Sequence, residues 1–171
     1  MIEIRRLTAA EAFEYVTPLA AVLLDCVERG ASVSFLSPLP VATAESFFEK
    51  VALGVEQGER IVFAAFHENS LVGTVQLITA TPQNQPHRAD VAKLLVASAA
   101  RGQGIASLLM NELESTARKA GKTLLVLDTV TGSIAEKLYT RLGWNRAGVI
   151  PNYALFPDGR PCATTVFYKQ L

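Results

Sequence analysis

The sequence is short of cysteine, of uncompensated charge and of long apolar runs. Its two cysteines, Cys26 and Cys162, lie far apart, and no CxxC pair or His/Cys cluster accompanies either. That excludes a zinc-ribbon site and a disulfide framework, and it suits free thiols in a reducing cytoplasm. Sixteen basic residues balance sixteen acidic ones, so the basic excess of a nucleic-acid binder is missing. No apolar stretch reaches the roughly 20 residues that span a bilayer, and the opening segment Met1 to Arg6 carries no secretory apolar run. No repeat, linker or low-complexity tract divides the chain. The expectation is one soluble cytoplasmic domain, residues 1–171, with no metal, nucleic-acid or membrane partner, as a monomer or homodimer.

What is present is an ordinary globular composition, 50% hydrophobic and 19% charged. A chain of this size buries roughly 70% of its unfolded surface, enough for a core without covalent staples. Ile2 to Arg6 alternates as a strand does. Thr8 followed by Glu11 has the spacing of a capping box, which opens a helix toward Arg29 that Pro18 must kink or split and Gly30 ends. Ala31 to Pro40 has no helical period. There Ser32, Ser34 and Ser37 alternate with Val33, Phe35 and Leu36, which fits either the lining of a site or a plain connector. A helix over Thr43–Gln57 and strands over Arg60–His67 and Leu71–Thr79 follow. Next come a strand over Ala89–Val96, a helix over Gly104–Ala120, an apolar strand over Thr123–Asp128 and a short helix over Gly132–Leu142. Strands over Trp144–Ile150 and Thr164–Lys169 close the chain around a Pro157-Asp158-Gly159 turn. Hairpins followed by a βαβ unit predict an α/β fold: a mixed, mostly antiparallel central sheet with helices on both faces.

Chemistry concentrates at the junction Val91 to Leu109. A strand ends, a small-residue turn follows, and a helix opens near Gly104. Free N–H groups and the positive end of a helix dipole meet there, and Gly102 and Gly104 let an anion come close. Arg101 can add a charge-assisted hydrogen bond. No Lys follows the glycines, so this is not a kinase-type phosphate loop. The third glycine of a dinucleotide fingerprint is replaced by Ser107, and the turn comes after several strands rather than first. On spacing alone a ligand-free turn stays open as an alternative.

Arg101-Gly102-Gln103-Gly104-Ile105-Ala106 fits the Q/R-x-x-G-x-G/A signature of the GNAT N-acetyltransferases. Leu138-Tyr139 followed by Arg141-Leu142-Gly143-Trp144 is similar to that family's LYxxxGF segment, with an apolar strand between the two motifs. The chain thus resembles that family over about Val91 to Trp144, and its order of elements agrees elsewhere. Further segments look like the subgroup of tabtoxin-resistance acetyltransferases: Gly30 to Phe35, Arg88 to Val91, Leu127-Asp128-Thr129, Gly132 to Glu136 and Pro157 to Arg160.

The resemblance implies an acyl-CoA N-acyltransferase fold with acetyl-CoA as co-substrate. The pyrophosphate is expected on the N–H groups of residues 101–106 (Arg101, Gly102, Gln103, Gly104, Ile105 and Ala106). The pantetheine arm is expected along Leu94, Leu95 and Val96, with a backbone N–H near Leu94 polarising the thioester carbonyl. Many members carry Asn before the helix of the Leu-Tyr pair; here Ser133 stands near that place and can cap the helix instead. The acceptor is expected to be a primary amine of a small molecule: an amino-acid-like compound, a toxin or an antibiotic. Two carboxylates can take its proton. Asp90 opens a strand whose period-2 pattern sets it on the face of Ala92, Leu94 and Val96, and Asp128 ends the neighbouring strand. Tyr139 is expected to protonate the leaving thiolate, and Ser32, Ser34 and Phe35 to line the acceptor pocket. Acetylation of a protein N-terminus or lysine, and a non-catalytic coenzyme-A sensor, are the alternatives.

Overall fold

Residues 1–171 are described by a computed structural model. Its elements are β1 (Ile2–Arg6), α1 (Ala9–Glu14), α2 (Val16–Glu28), α3 (Val41–Glu56), β2 (Arg60–His67), β3 (Ser70–Ile78), β4 (Arg88–Val96), a 3₁₀ turn (Ser98–Ala100), α4 (Ile105–Lys119), β5 (Leu124–Val130), α5 (Ile134–Arg141), β6 (Asn145–Leu155) and β7 (Pro161–Gln170). The seven strands form one sheet in the order β1-β2-β3-β4-β5-β7-β6. Every neighbouring pair is antiparallel except β4 and β5. The mixed, mostly antiparallel α/β sheet expected from the sequence is the sheet observed.

Strand β2 shows why helices cover both faces. Phe63 and Ala65 point into one core with Ile105, Leu109 and Leu113 of α4. Val62, Ala64 and Phe66 point into a second core with Leu19 and Leu23 of α2 and Phe48 of α3. A strand buried on both faces reads as a continuous apolar run, as Ile61 to Phe66 does.

Some boundaries differ from expectation. The first helix divides at Tyr15, not at Pro18. Pro18 lies in the first turn of α2, where its missing N–H has no intrahelical acceptor to lose. Thr8 and Glu11 do form a reciprocal capping box. Helix α3 starts at Val41, two residues early, with Pro40 as its N-cap. The closing hairpin is longer than its apolar residues suggested. Much of β6 faces solvent, so burial leaves no alternation to read there.

Two departures from a regular sheet shape the molecule. The β4–β5 ladder stops after Asp90↔Val126, although β5 continues to Val130 against β7. Beyond that rung the two parallel strands diverge. Within β4, Thr74 pairs with Leu95 but Gln76 pairs with Ala92, so Lys93 and Leu94 together oppose Val75. This is a β-bulge, with Lys93 at φ +54°. It inverts the alternation: Val91 joins the α4 core, whereas Leu95 joins the α2–α3 core.

Candidate active site

The divergence of β4 and β5 opens a cleft of about 850 Å³, lined by both strands, the 101–107 loop, α5, residues 31–34 and the β6–β7 hairpin. That is within the range of small-molecule sites. One side is made of main chain. The β5-facing edge of β4 beyond Asp90 has no ladder partner, so its N–H and C=O groups are free to pair with an extended ligand. The loop that follows carries Gly102 at φ +80° and Gly104 at φ +77°, the latter as N-cap of α4. A Cβ at either glycine would meet no protein atom within 4 Å. The positive φ, rather than crowding, therefore calls for glycine here, and the space above the loop is open. Ile105 is buried in the core, and Gln103 is exposed. What this loop offers a ligand is its row of N–H groups at the start of a helix.

Arg101 differs from expectation. Its Nε donates to the Val96 carbonyl at 3.1 Å and its Nη2 approaches the Cys26 thiol at 3.6 Å. The guanidinium is turned under the loop, where it ties the end of β4 to α2. Cys26 is buried, and burial raises its thiol above the usual range, so it stays protonated.

The loop is held from below by a residue that sequence reasoning missed. The Asp25 carboxylate accepts from the Ser98 N–H at 2.6 Å and from the Ser98 hydroxyl at 2.8 Å. It thereby caps the 3₁₀ turn that leads into residues 101–106.

The other side of the cleft is made of side chains. Asp128 lies on β5 past the point of divergence, and its carboxylate accepts from the Thr164 hydroxyl at 2.8 Å. Tyr139, on α5, is buried against Trp144 and Phe167 with ring centroids 5.9 Å away in each case. Burial, and then the charge of Asp128, raise its phenol well above the ordinary value. The phenol is therefore protonated throughout the physiological range, and Asp128 is near enough for its charge to be felt.

The helix that carries Tyr139 is fixed at both ends. Ser133 caps it by accepting from the Glu136 N–H at 3.1 Å. Gly143 at φ +78° closes it in a Schellman motif, with Trp144 N–H to the Tyr139 carbonyl at 3.0 Å and Gly143 N–H to the Thr140 carbonyl at 3.1 Å. This explains the Leu-Tyr…Gly-Trp spacing physically. The Trp144 indole then donates to the buried Glu114 at 2.9 Å.

Three expected site residues are placed otherwise. Asp90 is ion-paired with Arg88 at 2.5 Å at the closed end of the β4–β5 ladder, and it does not line the cleft. The bulge at Lys93 also removes it from the face of Leu94 and Val96. Phe35 stands edge-on to Phe47, centroids 5.3 Å apart, on the α2–α3 core rather than in the cleft. Leu95 is buried in that same core, so only its main chain is available beside Leu94 and Val96.

Ser32 and Ser34 do line the cleft. Ser32 donates to the Leu155 carbonyl at 2.6 Å, which straps the 31–37 loop to β6. Ser34 accepts from Lys93 Nζ at 2.9 Å. Sequence reasoning passed over Lys93, although a single charge inside Val91-Ala92-Lys93-Leu94-Leu95-Val96 was a signal. No group of three His, Cys, Asp or Glu side chains is gathered to hold a metal, and no helix is long and apolar enough to cross a membrane.

Comparison with known proteins agrees with this geometry. The sequence model of the acetyltransferase (GNAT) family matches residues 27–144, well over half of the chain. Among solved structures, an N-acetyltransferase from Staphylococcus aureus Mu50 superimposes with TM-score 0.81 at 19% identity, over 99% of this chain and 98% of that one. A ribosomal-protein-alanine N-acetyltransferase from Brucella melitensis gives 0.80 at 24% identity, over 99% of both chains. A Salmonella typhimurium protein of the same fold, solved with its cofactor acetyl-CoA, gives 0.79 at 17% identity, over 100% of this chain and 94% of that one.

Proposed function

The chain belongs to the GNAT acetyltransferase family and is an acetyl-CoA-dependent N-acetyltransferase; from that premise we propose that it acetylates the primary amine of a small molecule by direct attack in a ternary complex. Acetyl-CoA supplies an activated acetyl thioester. The free edge of β4 at Leu94 to Val96 pairs with the pantetheine arm, and the N–H groups of Gly102 to Ala106 receive the pyrophosphate. A backbone N–H near Leu94 donates to the thioester carbonyl, where negative charge develops. Ser133 serves as the helix cap beside that arm.

Asp128 takes the proton that the acceptor ammonium must lose before its nitrogen can attack. Tyr139 donates its phenolic proton to the sulfur as the C–N bond forms and the C–S bond breaks; the second proton shed by the nitrogen restores the phenol, and the first leaves Asp128 to solvent. The observation that carries the reading is the placement of these two groups: a carboxylate and a protonated phenol that line one cleft beside an open strand edge. Asp90, held by Arg88 outside the cleft, has no part in it.

A small acceptor is favoured by the strap over the cleft. Ser32 to the Leu155 carbonyl at 2.6 Å and the Ser37 N–H to the Pro157 carbonyl at 2.9 Å fasten the 31–37 loop across the end of the sheet. The similarity to tabtoxin-resistance acetyltransferases points the same way, toward an amino-acid-like toxin or antibiotic and a role in resistance. Thiol release from acetyl-CoA tests the reading, with amino acids, polyamines, aminoglycosides and unstructured peptides as acceptors. Turnover with small amines is expected; turnover confined to peptide N-termini or lysines overturns it.

A further inference from the structure

We propose that Lys93 anchors a carboxylate on the acceptor, so that the acceptor is an amine that also carries an acid group: an amino acid or an amino-acid-like compound. The inference rests on the small-amine reading and narrows it.

Lys93 is the one charged residue between Val91 and Val96. It sits at the bulge of β4, in a left-handed conformation at φ +54°. Ser34, the residue it meets, is also left-handed, at φ +83°. Non-glycine residues in this region are uncommon, and they gather at functional sites. Here two of them face each other across a cleft and share one hydrogen bond, Lys93 Nζ to Ser34 Oγ at 2.9 Å.

An ammonium has three donors, and that bond uses one. The Phe47 ring, 5.7 Å away at its centroid, supplies a second, weaker partner. No carboxylate does: Lys93 takes part in none of the chain's ion pairs. Half-buried cations usually have a counter-ion, because desolvation penalises the charge. Burial indeed pulls the Lys93 ammonium below the ordinary lysine range, and the charge of Asp128 opposes that pull.

Lys93 and Asp128 both line the cleft, yet they are not ion-paired with each other. A ligand of matching dipolar shape satisfies both at once. Its ammonium meets Asp128, the proton acceptor, and its carboxylate meets Lys93 and Ser34. A polyamine or an aminoglycoside would instead bring further positive charge against Lys93. The anionic groups of coenzyme A are handled elsewhere, by the loop beyond Val96.

The test is steady-state acetylation of the twenty common amino acids, with the α-amide and the decarboxylated amine of each one that reacts. Wild type is expected to prefer the acid over its amide by about 10- to 100-fold in kcat/KM, the usual weight of a charge-assisted hydrogen bond. Lys93→Met keeps the apolar stem and is expected to bring the acid down to the level of the amide, with the amide and the KM for acetyl-CoA little changed. Lys93→Arg is expected to retain the preference. A wild-type enzyme that accepts acid and amide equally overturns the inference without recourse to any variant. So does a Lys93→Met enzyme that loses both in parallel, which would give Lys93 only the task of holding Ser34. Turnover of polyamines or aminoglycosides but not amino acids removes the carboxylate and leaves the small-amine reading in place. Failure of every small amine removes both.

Discussion

Residues 101–106 build their half of the cleft with main chain, and they are contiguous. The half around Asp128 is built with side chains from four separate stretches: Ser32 to Ser34, Lys93, Asp128 and Thr164. The first half presents N–H groups that any sequence supplies, provided glycine stands at φ +80° and +77°. The second presents one cation, one anion and three hydroxyls, those of Ser32, Ser34 and Thr164. A fold of this kind can keep its acyl donor while its acceptor changes, because the two specificities reside in different chemistry.

The sharpest way to break that division is to remove the proposed proton acceptor. Asp128→Asn is expected to lower kcat by about 10²–10⁴-fold, the usual contribution of a general base. Calorimetric affinity for acetyl-CoA should stay near wild type. The loss should shrink at high pH, where free amine becomes abundant. Asp90→Asn, by contrast, should leave turnover nearly unchanged, since Asp90 answers to Arg88. A larger loss from Asp90→Asn than from Asp128→Asn would reverse the assignment.

Tyr139 tests the boundary between the halves, since its proposed partner is the thioester sulfur rather than the acceptor amine or the phosphates. Tyr139→Phe keeps the ring against Trp144 and Phe167 and removes one hydroxyl that donates to no protein acceptor. We expect normal folding, normal acetyl-CoA binding and a fall in kcat toward the lower end of acid catalysis, about 10²-fold. The thiolate is a fair leaving group even unassisted. Unchanged kcat in a rapid-quench assay would return Tyr139 to the core as a packing residue.

Gly104→Val addresses the main-chain half. A β-branched residue at φ +77° is strained by about 1–3 kcal/mol, and its side chain would project into the open space over the loop. A loop that relaxes from that strain leaves the conformation proposed to receive the pyrophosphate, and one that keeps it holds the Val side chain in the way, so acetyl-CoA affinity is expected to fall roughly 10- to 100-fold, with the KM for the amine little affected. Equal weakening of donor and acceptor would show that the two halves are not separable.

The same division governs what the sequence disclosed. The glycine loop at residues 101–106 was legible because its requirement is local: two glycines between a strand and a helix. The sheet was legible because β2 to β5 are apolar runs bounded by turns. Asp128 and Tyr139, which line the cleft, could be singled out because Asp128 closes an apolar strand and Tyr139 lies in the Leu-Tyr segment. Asp90 was misplaced for a physical reason. Its assignment assumed strict alternation along β4, and the bulge at Lys93 breaks that alternation. A bulge is decided by the neighbouring strand and leaves no reliable local mark. Phe35 was misplaced because an alternating loop can turn either set of residues inward. Asp25 and Lys93 escaped because their partners, Ser98 and Ser34, lie 73 and 59 residues away.

The smallest expected effect comes from Asp25, which stands on α2 and holds the turn that leads into the 101–106 loop. Burial pushes its carboxyl up, but the Ser98 N–H, the Ser98 hydroxyl and the Arg29 guanidinium outweigh that and hold it below the ordinary carboxylate range. A group depressed in the folded state contributes stability above its unfolded pKa, about 3.9 for Asp, and loses it as pH falls through the folded value. Asp25→Asn keeps the size and one acceptor but gives up the charge. It is expected to cost about 1–2 kcal/mol at neutral pH, as the loss of a helix cap does. For a chain of this length that is a fall in melting temperature of roughly 2–8 °C. Between pH 7 and 5 the gap between wild type and variant should be constant, and below about pH 4 it should narrow as the wild-type carboxyl takes up its proton. Affinity for acetyl-CoA should drop only slightly, because the loop keeps its glycines. A gap that widens as pH falls would mean that Asp25 is not held as a charged cap, and that the 101–106 loop stands without help from α2.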